Sequence, residues 1–389
     1  LRSFKKEKRH FNDFFRETLV VSETGRKKLS EKYLIRPTSE AVMYDSFSKW
    51  IKNSGNLPLL VNQYCSVIRW ESLKPNLPLI RGNEFLWQES HSVHETEMEA
   101  DDYVMKILKI YSRLHEEFLA LPFVSGFKPH HRMFPGAKYT LALESLMPDK
   151  KSVQTATSHS LGQNFSSVFG ISYKDGYGRK RLAWQACNGI TTRIIGAVVM
   201  AHGDNEGLVL PPMIAPYQCV LLEKDEAIQK SLKDNAIRFF VDDSNGNARE
   251  RIKNWRKMGV PVIAYRDTGG IRILRRDSTE KIISDKIFVG ETISKNLISI
   301  QENLLKKAMD FMAKHTANAS TWDEFRHVSA TRGGFISSSW CGGISCAKKI
   351  REKTKNSLRV ANPIKNKRAR NCVYCKKDAK YEAIFAPAY

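Results

Sequence analysis

The clearest pattern in the chain is a change in the period of its apolar positions. Between Val67 and His91 apolar and polar residues alternate through VIRWE, break in the loop SLKPNLPLIRGN, and alternate again through EFLWQESH. A period of two predicts two strands. Val67, Arg69 and Glu71 then share one face of the first, and Phe85, Trp87, Glu89 and His91 one face of the second. From residue 92 to 122 the period lengthens to that of a helix, with Met98, Tyr103, Ile107, Ile110, Leu114 and Phe118 as its predicted apolar stripe. Upstream, Pro37 closes an extended segment and Thr38 or Ser39 caps a second helix whose stripe is Val42, Met43, Phe47, Trp50 and Ile51. The succession Gln154 to His159 reads as a strand of small polar residues. Another strand reaches Gly189, and a helix beginning at Thr191 or Thr192 carries Arg193 in its first turn. Beyond residue 212 short strands and helices alternate, the rhythm of a small α/β domain.

Length and charge narrow the reading. The 389 residues suffice for two or three domains, and 63 Lys+Arg against 41 Asp+Glu give a net charge of +22 spread along the chain. Such an excess points to a polyanion partner, nucleic acid above all. No apolar run approaches a membrane span and the first residues lack a signal core, so a soluble, cytoplasmic protein without a membrane partner is expected. The seven cysteines are odd in number and make a poor disulfide framework. Four of them pair as Cys341-x4-Cys346 and Cys372-x2-Cys375, which suits a closed tetrahedral zinc site.

The strand pair also carries chemistry. Arginine forks suit carboxylate and phosphate, rings offer a stacking face, and a carboxylate can accept from an exocyclic amine, which together describe a nucleotide site. Arg193, at the start of an apolar helix, adds a guanidinium where the helix N-terminus already favours anions.

The order R-x-E, loop, R-x-x-x-F resembles the second signature motif of class II aminoacyl-tRNA synthetases, and WQACNGITTRIIGAVVMAHGD resembles the third. RPTSE followed by LPLLVNQ resembles the T-x-E loop of the prolyl-tRNA synthetase branch, and the paired cysteines resemble the extra domain of its archaeal/eukaryotic type. The resemblance covers residues 30–389. It implies an α+β catalytic domain built on an antiparallel sheet (the class II synthetase fold, residues 1–212), an α/β anticodon-binding domain (213–315) and a small zinc-binding α+β C-terminal domain (316–389). It implies that Arg69, Arg81 and Arg193 are catalytic, and that Glu71, Phe85, Gln154 and Thr157 join them around ATP and its Mg²⁺. Thr38, Glu40, Arg69, Trp87, Glu89, His91 and His159 would hold L-proline. Structural zinc on the four cysteines, tRNA(Pro) as partner and a homodimer complete the expectation.

Two departures stand out. Cys187-Asn188 occupies the place where that branch usually has Ser-Trp, and the first class II motif is not evident. A threonyl or glycyl enzyme would share the three arginines, and a non-catalytic RNA-binding paralogue would keep the basic surface and the cysteines.

Overall fold

A computed structural model describes residue 12 and residues 14–70, 77–364 and 370–389. Its centre is a ten-stranded sheet that also takes in strands from the C-terminal region. Six strands from the first half of the chain lie in the order Val124–Phe127, Tyr139–Leu146, Ser152–Gly162, Trp184–Thr191, Glu84–His94 and Leu59–Ile68, each antiparallel to its neighbour. The first of the two expected strands therefore starts earlier and stops at Ile68. Arg69 follows it, with its backbone N–H donating to Asn83 O at 2.7 Å. Glu71 lies outside the described residues.

The two faces of this sheet are covered by different helices. Helix Glu97–Arg113 lies on one, opened by a capping box in which Thr96 and Glu99 satisfy each other's backbone N–H groups. Its buried stripe is Ala100, Val104, Leu108 and Tyr111. The expected stripe is thus rotated: Met98, Ile110 and Phe118 are exposed, and the last turn, Leu114–Phe118, widens into a π-helix. Helix Glu40–Trp50 covers part of the other face with Ala41, Tyr44 and Phe47, packed among Phe165, Phe169 and Cys187. Val42 and Trp50, expected inside, are exposed. In both helices hydrophobicity alone was an incomplete guide, because Ala41 and Ala100 take contact positions beside Phe47, Val104 and Leu108.

A second sheet of five strands, Phe239–Val241, Cys219–Leu221, Val262–Asp267, Gly270–Arg275 and Lys281–Ser284, begins parallel and ends antiparallel, with helix Val289–Lys314 packed on it. The C-terminal strands Thr316–Asn318, Phe335–Trp340, Tyr381–Ala386 and Ser357–Pro363 continue the large sheet, joining it where Ala361 pairs with Phe127. A buried charge cluster locks this junction. Glu144 accepts from Lys128 at 2.5 Å, from Ser152 at 2.6 Å, and from both nitrogens of the Arg359 fork at 2.8–3.0 Å. No helix of the described residues is long and apolar enough to cross a membrane.

Candidate active site

The register of five strands builds the site. Thr140, His159, Cys187, His91 and Val61 stand in one row across the sheet, and Ala142, Thr157, Gly189, Glu89 and Gln63 in the next. Because side chains alternate between faces, both rows with a shared parity come up on the same side. Gly189 leaves a gap between Thr157 and Glu89: a Cβ there would meet only Gln88 O, at 3.8 Å. Asn188 turns to the opposite face, where it accepts from Ser158 and donates to Ser90 at 3.1 Å. That accounts for Asn188 where a tryptophan was expected: a buried amide clips three strands together behind the pocket.

Above these rows opens a cavity of about 290 Å³. Arg69, Arg81, Phe85, Trp87, Glu89, Gln154, Thr157, His159 and Arg193 all line it, so the described members of the expected nucleotide set meet in one place. Thr38, Glu40 and His91 do not line it. They lie beneath it, 1%, 1% and 0% exposed, and reach it through Cys187 and Glu89.

The cationic groups are held by backbone carbonyls and rings. Arg69 donates through Nε to Pro37 O at 2.9 Å, and its guanidinium sits 4.8 Å from the Phe14 ring, 5.4 Å from Phe85 and 5.5 Å from Trp87. Arg193 stands at the start of helix Arg193–His202 and donates to Ile80 O at 2.8 Å. Gly196 eases this approach, because a Cβ there would come to 2.8 Å from the end of the Ile80 side chain and 3.0 Å from Leu79 Cβ. The helix thus approaches the loop that bears Arg81 closely enough to put both arginines on one wall.

At the other end the floor is acidic. Thr38 donates to Glu40 and Gln63 to Glu89. Burial alone would lower the His91 pKa, but Glu89, 3.0 Å away, and Glu40 outweigh it and raise the value. Burial pushes His159 down to about 4, so it is neutral at pH 7; its Nδ1 meets the Thr140 hydroxyl at 2.9 Å and its ring lies 4.7 Å from that of Phe134. Burial, with Glu40 and Glu89 nearby, pushes the Cys187 thiol up.

Sequence reasoning missed Phe14, Gln63, Lys128, Arg132 and Phe134, which also line or support the site. Phe134 runs directly into Pro135 and Gly136, a turn signal that masks its place in the site. Gln63 was legible once Leu59–Ile68 is extended back, because pairing opposite Glu89 follows from the register. A second recess of about 180 Å³ adjoins the cationic end, lined by Arg81, Lys128, Arg132, Arg193, Arg359 and Tyr389 among others. Tyr389 is fixed there by a hydrogen bond to Asp149 at 2.5 Å.

An antiparallel sheet bearing a cation-walled cavity with an acidic floor is the catalytic core of a class II aminoacyl-tRNA synthetase. Residues 21–202 match the family described as tRNA synthetase class II core domain (G, H, P, S and T), residues 209–296 the anticodon binding domain, and residues 322–389 the prolyl-tRNA synthetase C-terminal family. The chain is 37% identical to a "Proline--tRNA ligase" of Alkaliphilus oremlandii across 99% of its own length and 83% of that protein. It is 36% identical to one of Chlorobium phaeobacteroides, over 99% and 84%. A solved prolyl-tRNA synthetase of Cryptosporidium parvum, complexed with halofuginone and AMPPNP, superposes with a TM-score of 0.91 at 33% identity, covering 100% of this chain and 83% of that one. The chain belongs to the prolyl-tRNA synthetases. It activates L-proline with ATP to prolyl-adenylate and transfers the prolyl group to the 3′ end of tRNA(Pro).

Proposed function

We propose that the cavity binds the two substrates along its charge gradient, with the ATP phosphates at the arginine wall and the proline imino cation above the acidic floor. The observation that carries this reading is the meeting of Arg69, Arg81, Arg193, Phe85 and Glu89 around one cavity. Phe85 and the Arg193 guanidinium take opposite faces of adenine, Gln154 and Thr157 border the nucleotide, and Arg81 holds the terminal phosphate. Glu71 would meet the adenine amine. Arg69 spans the α-phosphate and the proline carboxylate. Thr38 and Glu40 receive the imino group, while Trp87, Glu89, His91 and His159 shape the ring pocket.

In the first step a proline carboxylate oxygen bonds to the α-phosphorus as the bond to pyrophosphate breaks. In the second a terminal ribose hydroxyl of tRNA attacks the adenylate carbonyl and AMP leaves. Both steps depend on positioning and on cations facing the charge that develops, so no protein nucleophile is needed. Mg²⁺ arrives with ATP as part of the substrate.

Phe134 and neutral His159 form the apolar side of the ring pocket. Phe134→Ala is expected to raise the KM for proline by on the order of 10-fold to 100-fold, the range for losing roughly 1–3 kcal/mol of apolar contact. The KM for ATP should stay within a factor of two or so of the parent. An equal rise in both values would argue against this placement.

The division into catalytic (1–212), anticodon-binding (213–315) and C-terminal (316–389) regions is supported by the family matches. We place the chain in the archaeal/eukaryotic type on its C-terminal region, although the relatives named above at 36–37% identity come from bacteria. In that region Cys341 Sγ lies 3.7 Å from Cys346 Sγ and 3.6 Å from Cys375 Sγ, and the four donor atoms, Cys372 included, fall within 4.8 Å of one another. Four thiolates at about 2.3 Å from a tetrahedral zinc fit that spacing. Cys341, Cys346, Cys372 and Cys375 would hold a structural ion that crosslinks the region. Cys372→Ser is expected to remove that zinc and lower the thermal midpoint by about 2 °C or more, the shift for roughly 2 kcal/mol in a chain of this size. An unchanged midpoint and metal content would remove the zinc.

A homodimer is supported by the edge strand Leu59–Ile68 and the neighbouring exposed Leu60, Tyr64, Leu86, Ile110 and Phe118. We assign the enzyme to the cytoplasm, where tRNA is charged.

A further inference from the structure

The floor of the amino-acid pocket holds more ligating chemistry than recognition of an imino group requires. Glu40, Glu89, His91 and Cys187 are 1%, 1%, 0% and 4% exposed, and one donor atom from each lies within 4.8 Å of the other three. Each ligating residue except Cys187 is steadied from outside. The Tyr44 hydroxyl meets His91 Nδ1 at 3.1 Å, Gln63 donates to Glu89 Oε1, and Thr38 donates to Glu40 Oε2. Other atoms of the same residues turn toward one another. Cys187 Sγ stands 3.5 Å from Glu40 Oε1, and His91 Nε2 stands 3.0 Å from Glu89 Oε2. That last pair is close but off hydrogen-bond geometry, and neither atom has another hydrogen-bond partner.

Converging sulfur, imidazole nitrogen and two carboxylate oxygens form a donor set for zinc, which takes them at about 2.0–2.3 Å. The outer contacts act as they do around metal sites, fixing ring orientation and tautomer: a proton on Nδ1 shared with the Tyr44 oxygen turns the Nε2 lone pair inward.

We propose that Glu40, Glu89, His91 and Cys187 form a zinc-class metal site at the base of the amino-acid pocket, separate from the four-cysteine cluster, and that metal and proline exclude each other there. The exclusion rests on the proline-pocket reading, since Glu40 and Thr38 would have to release one occupant to take the other. Metal binding itself does not rest on it.

Cobalt(II) tests both halves, using the full chain freed of metal and kept reduced. Equilibrium dialysis is expected to show one more ion bound by the parent than by Cys187→Ser, with a thiolate-to-cobalt absorption band that the variant lacks. Saturating proline with a non-hydrolysable ATP analogue should displace that one ion. Should Cys187→Ser fail to fold, Cys341→Ser serves instead: with the other cluster disabled it should keep one cobalt and a single-thiolate spectrum. Equal uptake by the parent and a folded Cys187→Ser, or no uptake by Cys341→Ser, overturns the site. An extra ion that proline leaves in place overturns the exclusion and the proline-pocket reading while the metal site stands.

Discussion

Arg69→Ala is expected to lower proline-dependent ATP/pyrophosphate exchange by on the order of 10³-fold or more, the scale for removing an arginine that faces the transferred phosphoryl group. The guanidinium is held between Pro37 O and three aromatic rings, so its fork is fixed before substrate arrives. Arg69→Lys keeps the charge but loses the second donor arm and the planar stack, and should recover only a small part of the rate. Circular dichroism should show an intact fold in both variants. Near-parental exchange by a folded Arg69→Ala would take Arg69 out of the reaction and leave Arg81 and Arg193 to carry it.

The second large effect concerns the joint between the catalytic sheet and the C-terminal strands. Glu144→Gln is expected to destabilise the protein by about 3–5 kcal/mol, because it leaves Lys128 and Arg359 buried without their counter-charge. Urea unfolding would measure it, and a loss under about 1 kcal/mol would show that the cluster contributes little. Replacing Arg359 by methionine in the same chain should restore part of the stability, since it removes one of the two orphaned cations and leaves Lys128 alone. The same group sets an acid limit. Burial alone would raise the Glu144 pKa, but Lys128, Arg359 and Ser152 bring it down to about 2 from an ordinary 4.5. A depressed carboxylate stabilises the folded state above its unfolded value, so this contribution is whole above pH 4.5 and fades as pH falls toward 2. A parent chain that loses stability through that window, beside a Glu144→Gln variant that loses less of it, is the expected result.

Much of the candidate site was legible along the chain because local order encodes it. Phe85, Trp87, Glu89 and His91 follow a period of two, and Arg193 follows a threonine that opens a helix. The paired cysteines announced a cluster, and four sulfurs do converge. The helix stripes were less legible. Ala100 and Ala41 carry little hydrophobic signal yet sit at 1% and 2% exposure, whereas Met98 and Trp50 carry a strong one and face outward at 72% and 57%. Packing selects small residues where a helix approaches a sheet closely, and surface residues are under no matching demand to be polar.

The linear order of residues by itself determined the class of chemistry: three arginines, a ring and a helix start at fixed spacings, with a charge excess suited to tRNA. Only the tertiary structure decided what those groups share. Strand register aligned His159, Cys187 and His91 across three chain segments, and Gly196 admitted the loop that brings Arg81 beside Arg193. It also decided that the C-terminal strands extend the catalytic sheet, through Ala361 against Phe127 and Arg359 on Glu144. The reason is physical: alternation and capping are set by neighbours in sequence, whereas register and close approach are set by contacts between residues far apart in it.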